Sequence, residues 1–428
     1  MSRVIRTGGN AVLRSRAEVE LYLLAKAEKN TSGVIGTELE LFVTTQEGKP
    51  ISYAQIEKLF EHIAAKTGAE KSVEGGHVVA LHMPDVGDVC LEPGGQVELS
   101  TKPCETLDEL EEANKTLRAA LDEAATHFGL RVKGQGHMPS FLQAEDMPRS
   151  RFAAYYGYCR HEIGAAAEDL IKTMKSVCSL QVNVDPMGKD FHNIYRALLL
   201  LDVAAAFNQA SERRERLDKT YAPYFGAQTQ PVFEALGAKS NAELVPPLVD
   251  RLLTLKVPFI PDNSPEGFKS TIDVFSKPPT VGELLDKGQL TKEILDNALS
   301  LQLTPPNLRR HGVVETRLLD SVDTTEDVMR VARRYREAAY SEMDRARLLK
   351  RFKKADPDLL RAAFNARGQM PRKKLMEMDI GGGLKAGNLA VEAESFMPRG
   401  AASSAPCAKG SSTARPSPRR RRQGRHRP

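Results

Sequence analysis

The 428-residue sequence predicts an α+β fold, a mixed or antiparallel sheet with one polar face and helices covering it. Three observations predict it. Five strand-like segments, "VIGTELELFV", "VCLEPGGQVELST", "LRVKGQGH", "CSLQVNVD" and "VVETRLLD", are bounded by Gly, Pro or Asp. They lie far apart, and the stretches between them are long and helical in pattern. Four of the five also repeat one design, in which apolar and polar residues alternate.

Residues 10–30 open the chain with a helical pattern. In "IGTELEL", alternation puts Ile35, Thr37, Leu39 and Leu41 on one face of a strand and Glu38 and Glu40 on the other. Residues 52–67, "YAQIEKLFEHIAAKTG" among them, have apolar side chains at helical spacing and a glycine stop. The next strand carries Gln96 and Glu98 opposite Val97 and Leu99, and Glu92 precedes it in "LEPGGQ". A charged helix is expected at about 105–128, and another at about 160–174. In "SLQVNVD", Gln181 and Asn183 lie together, opposite Leu180, Val182 and Val184. Helices follow over 189–217 and 229–256. In "VVETRLL", Glu315 and Arg317 share a face against Val314, Thr316 and Leu318. From Thr324 to about Arg367 the pattern is a pair of charged amphipathic helices. "MDIGGGLKAGN" lacks the spacing of a phosphate-binding loop and reads as a loop or linker. The expected division is a catalytic body over 1–378, a linker over 379–400 and a disordered tail over 401–428.

Composition bounds the function. With 41% hydrophobic and 27% charged residues, the chain can build a full core. Its longest apolar run, "ALLLLDVAAAF", is broken by Asp202 and is shorter than the roughly 20 residues a membrane span needs, so no membrane partner is expected. No apolar leader is read at the N-terminus, and the five scattered cysteines suit a reducing cytoplasm. Cys178 reads as a packing residue, and His77, His82 and His137 as loop or surface histidines. The net charge of +5 comes from the tail. Residues 401–428 hold eight Lys or Arg and no acid, and without them the body has 53 basic against 56 acidic residues. Runs of Arg bind phosphate backbones non-specifically, but the body has no aromatic-basic stacking motif, so nucleic acid is not the expected partner.

The polar face is the feature that needs explaining. One polar face on an antiparallel sheet is ordinary. This one is Glu, Glu, Gln, Glu, Gln, Asn, Glu and Arg, and clustered carboxylates repel unless a cation sits among them. Hard divalent cations such as Mg²⁺ prefer oxygen ligands from a few carboxylates, substrate phosphates and water. That arrangement points to phosphoryl chemistry.

"GTELELF", "LEPGGQVELST", "MPRSRF", "CSLQVNVD" and "VVETRLLD", in this order, resemble the glutamate–cysteine ligases of plants and many bacteria, over about residues 15–345. The resemblance implies a glutamine-synthetase-like catalytic domain. It also implies two or three Mg²⁺ ions and ATP as co-substrate. The implied reaction activates the γ-carboxylate of glutamate as an acyl phosphate, which the amine of cysteine attacks, the first step of glutathione synthesis. Carried over by position, Glu38, Glu40, Glu92, Glu98 and Glu315 are the metal ligands, with Asn183 a ligand or its neighbour. Arg317 and Arg151 are the catalytic candidates, and Gln96, Arg149, Arg151 and Gln181 the substrate-binding ones. The sequence departs from the family where a substrate-pocket segment ends in Trp. Here it reads "AAFNQASERRERLDKTYAPYFGAQTQ", and the chain has no Trp. Arg213, Arg214 and Arg216 either replace the family's arginine there or form a solvated helix face, so an amine other than cysteine stays open as the acceptor.

Overall fold

The structure is a computed structural model that describes residues 11–208, 216–217, 230–261, 268–301, 306–395 and 397. The chain runs from helix α1 (Arg16–Lys29) into strand β1 (Ile35–Thr44), then helix α2 (Tyr53–Thr67). Strands β2 (Glu70–Glu74), β3 (His77–Met83), β4 (Gly87–Leu91) and β5 (Val97–Thr101) follow as a meander. Helix α3 (Leu107–His127) leads to β6 (Arg131–Lys133), and helices α4 (Ser150–Ile163) and α5 (Ala167–Lys175) lead to β7 (Ser179–Val184). After helix α6 (Phe191–Asn208) come the short strands β8 (Phe259–Pro261), β9 (Phe268–Ser270) and β10 (Asn307–Leu308), then β11 (Val314–Asp320).

Among the described residues nine strands form one sheet, in the order β10-β11-β7-β1-β5-β4-β3-β2, with β6 paired to the far end of β1. Every pairing in it is antiparallel. The expected α+β class holds, and the mixed option narrows to an antiparallel sheet. Strands β8 and β9 form a separate hairpin. The face bearing Leu39, Leu41, Val97, Leu99, Leu180 and Val182 is buried in the main core. Helix α3 binds that face through a hydrogen bond between Thr37 and Asn114, 3.0 Å from the amide nitrogen to Thr37 Oγ1.

Local chemistry explains most boundaries. Ser15 and Thr106 cap α1 and α3 by accepting the N–H groups of Glu18 and Glu109. Gly68 ends α2 in the left-handed conformation at φ 72°, its N–H donating to Ala64 O. The helix expected over 160–174 is two helices, because Gly164 at φ 56° breaks the path between α4 and α5. Strands β2 and β3, not expected from the sequence, turn through Gly75 and Gly76 at φ 56° and 83°.

The expected linker over 379–400 needs correction. Residues Ala386–Glu394 form a helix packed against α6, with Ala386, Leu389, Ala390 and Ala393 buried. Gly381, Gly382 and Gly383, all at positive φ, turn the chain back so that Asp379 bridges Lys385. Glu392 then pairs with Arg334, 2.8 Å away. Apolar residues at helical spacing after the glycines were the signal. The tail over 401–428 lies outside the described residues, as do Arg213 and Arg214. Among the described residues no helix is long and apolar enough to cross a membrane. Cys90, Cys104, Cys159 and Cys178 are buried, and none of them is in a disulfide.

Truncating the fully buried Leu389 to Ala is expected to lower unfolding free energy by about 2–4 kcal/mol. Urea denaturation measures it. An unchanged midpoint would mean that the 386–394 helix adds nothing to the body.

Candidate active site on the polar face of the sheet

Residues directly opposite each other in an antiparallel pair project to the same side. On β1, Glu38 stands between Ser100 of β5 and Gln181 of β7, and Glu40 stands opposite Glu98 of β5. Asn183 of β7 is opposite Glu315 of β11, which is opposite Asn307 of β10. The face continues outward through Asp88 and His82 in one row, and through Cys90 in the next. Strands from four distant parts of the chain thus bring Glu38, Glu40, Glu98, Gln181, Asn183, Glu315 and Arg317 together, as the alternation predicted.

The side chains are linked. Asn183 Nδ2 donates to Glu38 Oε1 at 3.1 Å, and Gln181 Nε2 to Glu40 Oε1 at 3.2 Å. The Ser179 N–H donates to Glu40 Oε2 at 2.7 Å. Arg317 Nη1 reaches both Gln181 Oε1 at 3.1 Å and Glu315 Oε2 at 2.7 Å. Arg309, which the sequence reading did not single out, lies with its Nε 3.0 Å from Glu315 Oε1. That second oxygen is buried and makes no hydrogen bond of good angle. Glu315 is fully buried, so a carboxylate out of water is held between two guanidinium groups. Ser100 Oγ donates to Glu98 Oε1 at 3.0 Å.

Gln96 and Arg149, expected at the substrate, are engaged by the protein's own groups. Gln96 is buried, its amide donating to Met174 O and Val177 O at 3.0 and 2.9 Å and accepting from the Gly94 N–H at 2.7 Å. It fastens the "EPGG" turn to the α5–β7 connection, and a Cβ on Gly94 would lie 2.5 Å from the Lys175 carbonyl oxygen. Both amide hydrogens of Gln96 are therefore spent on protein carbonyls. Arg149 donates to Leu91 O at 3.0 Å and to Glu74 Oε1 at 3.3 Å, and is 3% exposed. Alternation along a strand cannot show that a polar group turns inward to the protein's own carbonyls.

Arg151 and Glu92 extend the site beyond the strands. Burial and the neighbouring Arg149 charge push the Arg151 guanidinium down to about 10, while Glu92, Glu74 and Glu98 hold it up. Glu92 sits at the start of the turn to β5, with burial and then the Glu98 carboxylate raising it. Glu38 is pushed up to about 7 by burial and by the carboxylates of Glu98 and Glu315. Burial alone would lower Arg317, but the Glu315 carboxylate overrides it and holds the guanidinium charged. Negative charge is thus concentrated beyond what the arginines neutralise.

Other expectations resolve simply. Cys178 packs with Phe42, Met138, Phe141 and Ala144 at the closed end of this face, the packing role expected of it. The Cys90 thiol, buried near Glu98, is pushed up to about 12. His82, expected to be a loop or surface histidine, lies partly exposed in β3, on the site's face, with Nδ1 2.7 Å from Asp88 Oδ1. His77 also begins β3, its ring against Tyr53. Arg216 donates to Thr173 Oγ1 at 2.9 Å.

Oxygen donors in this density suit an oxygen-preferring divalent cation. Among the described residues no three His, Cys, Asp or Glu side chains stand close enough to hold an ion by themselves.

The model of glutamate-cysteine ligase family 2 matches residues 34–211, which contain four of the five motifs; "VVETRLLD" lies beyond the match. The chain is 31% identical over 196 residues to the chloroplastic glutamate–cysteine ligase of Brassica juncea, covering 45% of this chain and 37% of that protein. It is 32% identical over 196 residues to the chloroplastic enzyme of Arabidopsis thaliana, covering 45% and 36%. The Nicotiana tabacum enzyme is 30% identical over 196 residues, at 45% and 36%. The match therefore spans little more than a third of these relatives' length. A solved chain from the complex between the prokaryotic ubiquitin-like protein Pup and its ligase PafA aligns over 86% of this chain and 76% of that one. At 12% identity and a TM-score of 0.26, that likeness carries no structural argument. Residues 34–211 match the glutamate-cysteine ligase family 2 model, in keeping with the resemblance over that stretch.

Removing one member of a buried charge cluster leaves the others uncompensated. Glu315→Ala is therefore expected to cost about 3–5 kcal/mol in urea denaturation, and a loss under about 1 kcal/mol would contradict the pairing. A second expectation concerns pH. Folded Glu38 holds its proton up to about 7, against an ordinary value of 4.5, so losing it costs the folded state more than the unfolded one. Stability of the chelator-treated protein should fall as pH rises from about 4.5 to about 7, and Glu38→Gln should flatten that slope. An identical slope in the variant would contradict the assignment.

Proposed function

We propose that this chain, through its glutamate–cysteine ligase family 2 segment, is an ATP- and Mg²⁺-dependent ligase. It joins the γ-carboxylate of glutamate to the amine of cysteine, giving γ-glutamylcysteine for glutathione synthesis. One observation supports this most: the sheet pairing gathers Glu38, Glu40, Glu98, Glu315, Gln181 and Asn183 onto one face, with Arg317 hydrogen-bonded among them and Glu92 in the turn before β5. Buried cysteines that form no disulfide suit a cytoplasmic setting.

The chemistry runs in two displacements. A carboxylate oxygen of glutamate attacks the γ-phosphorus of ATP, the bond to the bridging oxygen breaks, and ADP leaves. The cysteine nitrogen then attacks the acyl carbon, loses a proton, and phosphate departs with the oxygen that came from the carboxylate. No protein nucleophile is needed, in keeping with a Cys90 thiol pushed up to about 12. Bound Mg²⁺ would offset charge on the transferring phosphoryl group. Glu38, Glu40, Glu92, Glu98 and Glu315, with Asn183 beside them, would share two or three ions, and substrate phosphates and water would supply the ligands that no three of these carboxylates supply alone. Arg317, fixed by Gln181 and Glu315, presents a guanidinium to the oxygens on which charge develops. Arg151, half-buried beside Glu92 and Glu98, is the clamp for a substrate carboxylate or phosphate.

ADP release should require glutamate and Mg²⁺ and rise with cysteine above a panel of other amines. A better acceptor in that panel would move the reading to a related carboxylate–amine ligase. Glu40→Ala and Glu98→Ala should each lower kcat roughly 100-fold or more. Wild-type rates in both would overturn the site assignment.

A further inference from the structure

Asp202 is the only interruption of the run "ALLLLDVAAAF", and it lies on α6 with no exposed surface. A carboxylate there is costly unless its oxygens are used. They are used on β11. Asp202 Oδ2 accepts the Arg317 N–H at 3.1 Å, and Oδ1 accepts the Leu318 N–H at 3.4 Å. Oδ1 also accepts the hydroxyl of Tyr335, at 3.2 Å, from the helix Thr325–Tyr340.

Those two N–H groups belong to an irregularity in the sheet. Thr316 pairs with Val182 and Leu319 with Leu180, so Arg317 and Leu318 both face the single residue Gln181. Such a bulge frees backbone donors from the ladder and re-aims a side chain. The side chain here is Arg317, which reaches Gln181 and Glu315 from this position. A regular strand would also set Arg317 opposite Gln181 but would put Leu318, not Leu319, opposite Leu180; the bulge instead bends the strand at Arg317 and so sets the angle at which its side chain leaves.

We infer that Asp202, braced by Tyr335, is a positioning residue that holds the β11 bulge and thereby aims the Arg317 guanidinium across the polar face. Asp202 does not touch substrate; it acts through the two backbone donors. Its catalytic consequence rests on the function proposed above, but its effect on Arg317 does not.

The test uses the full chain. The Arg317 Nε–H resonance, assigned by its loss in Arg317→Lys, is compared between wild type and Asp202→Asn, which keeps the volume but replaces one acceptor oxygen with a donor. A displaced or broadened Arg317 resonance is expected, with the circular dichroism spectrum retained. An unmoved resonance in a folded variant overturns the inference. If Asp202→Asn does not fold, Tyr335→Phe carries the same comparison with the same two outcomes. In turnover, Asp202→Asn should lower kcat roughly 10-fold with little change in KM for ATP. The double variant with Arg317→Lys should be no slower than Arg317→Lys alone, whereas losses that multiply would contradict action through Arg317. Full ADP formation by Arg317→Lys would instead defeat the proposed function, leaving the resonance comparison to decide the placement of Arg317.

Discussion

The register of β1 against β5 and β7 is the constraint on which the polar face depends. A one-residue slip would turn Glu38 and Glu40 into the core and expose Leu39 and Leu41. Two things fix the register. Leu39, Leu99 and Leu180 meet on the buried side, and Asn114 of α3 binds Thr37 there. On the other side, Asn183 and Gln181 bind Glu38 and Glu40, so the polar partners agree with the apolar ones. Sheet formation and site formation are one event.

Within that frame, electrostatics divides the glutamates into two kinds. Glu315 has its charge met by Arg309 and Arg317, and it serves to hold Arg317 as much as to receive a ligand. Glu38 and Glu92 are pushed up by burial and by other carboxylates, so their cost is not fully met by the protein. A face built this way favours a cation, and a substrate that brings its own negative charge needs one too. Arg151 differs: burial and Arg149 lower it while Glu92, Glu74 and Glu98 hold it up, so its charge is already shared with carboxylates of the site.

Much of this was legible in the sequence because alternation is a local property. Four short segments put Glu38, Glu40, Glu98, Gln181, Asn183, Glu315 and Arg317 on polar faces; the sheet pairing sets the first six on one side, and Arg317 hydrogen-bonds to Gln181 and Glu315 there. Gln96 and Arg149 sat in the right motifs but turn to carbonyls and to Glu74, a choice made by tertiary neighbours 58 to 81 residues away. Arg309 and Asp202 lay outside any strand pattern. Asp202 did leave a trace as one acid in a buried apolar helix, though its purpose appears only when β11 meets α6. The hairpin of β2 and β3 had its Gly75-Gly76 turn in view. The helix over 386–394 was hidden behind three glycines that resemble a linker.

The central claim is that this face activates a carboxylate with ATP before an amine arrives. Glutamate labelled with ¹⁸O in its γ-carboxylate tests it most directly. The account predicts that one labelled oxygen appears in the released phosphate for each amide formed. Amide formation with unlabelled phosphate would contradict an acyl phosphate, and with it the mechanism assigned to Arg317 and the glutamates around it.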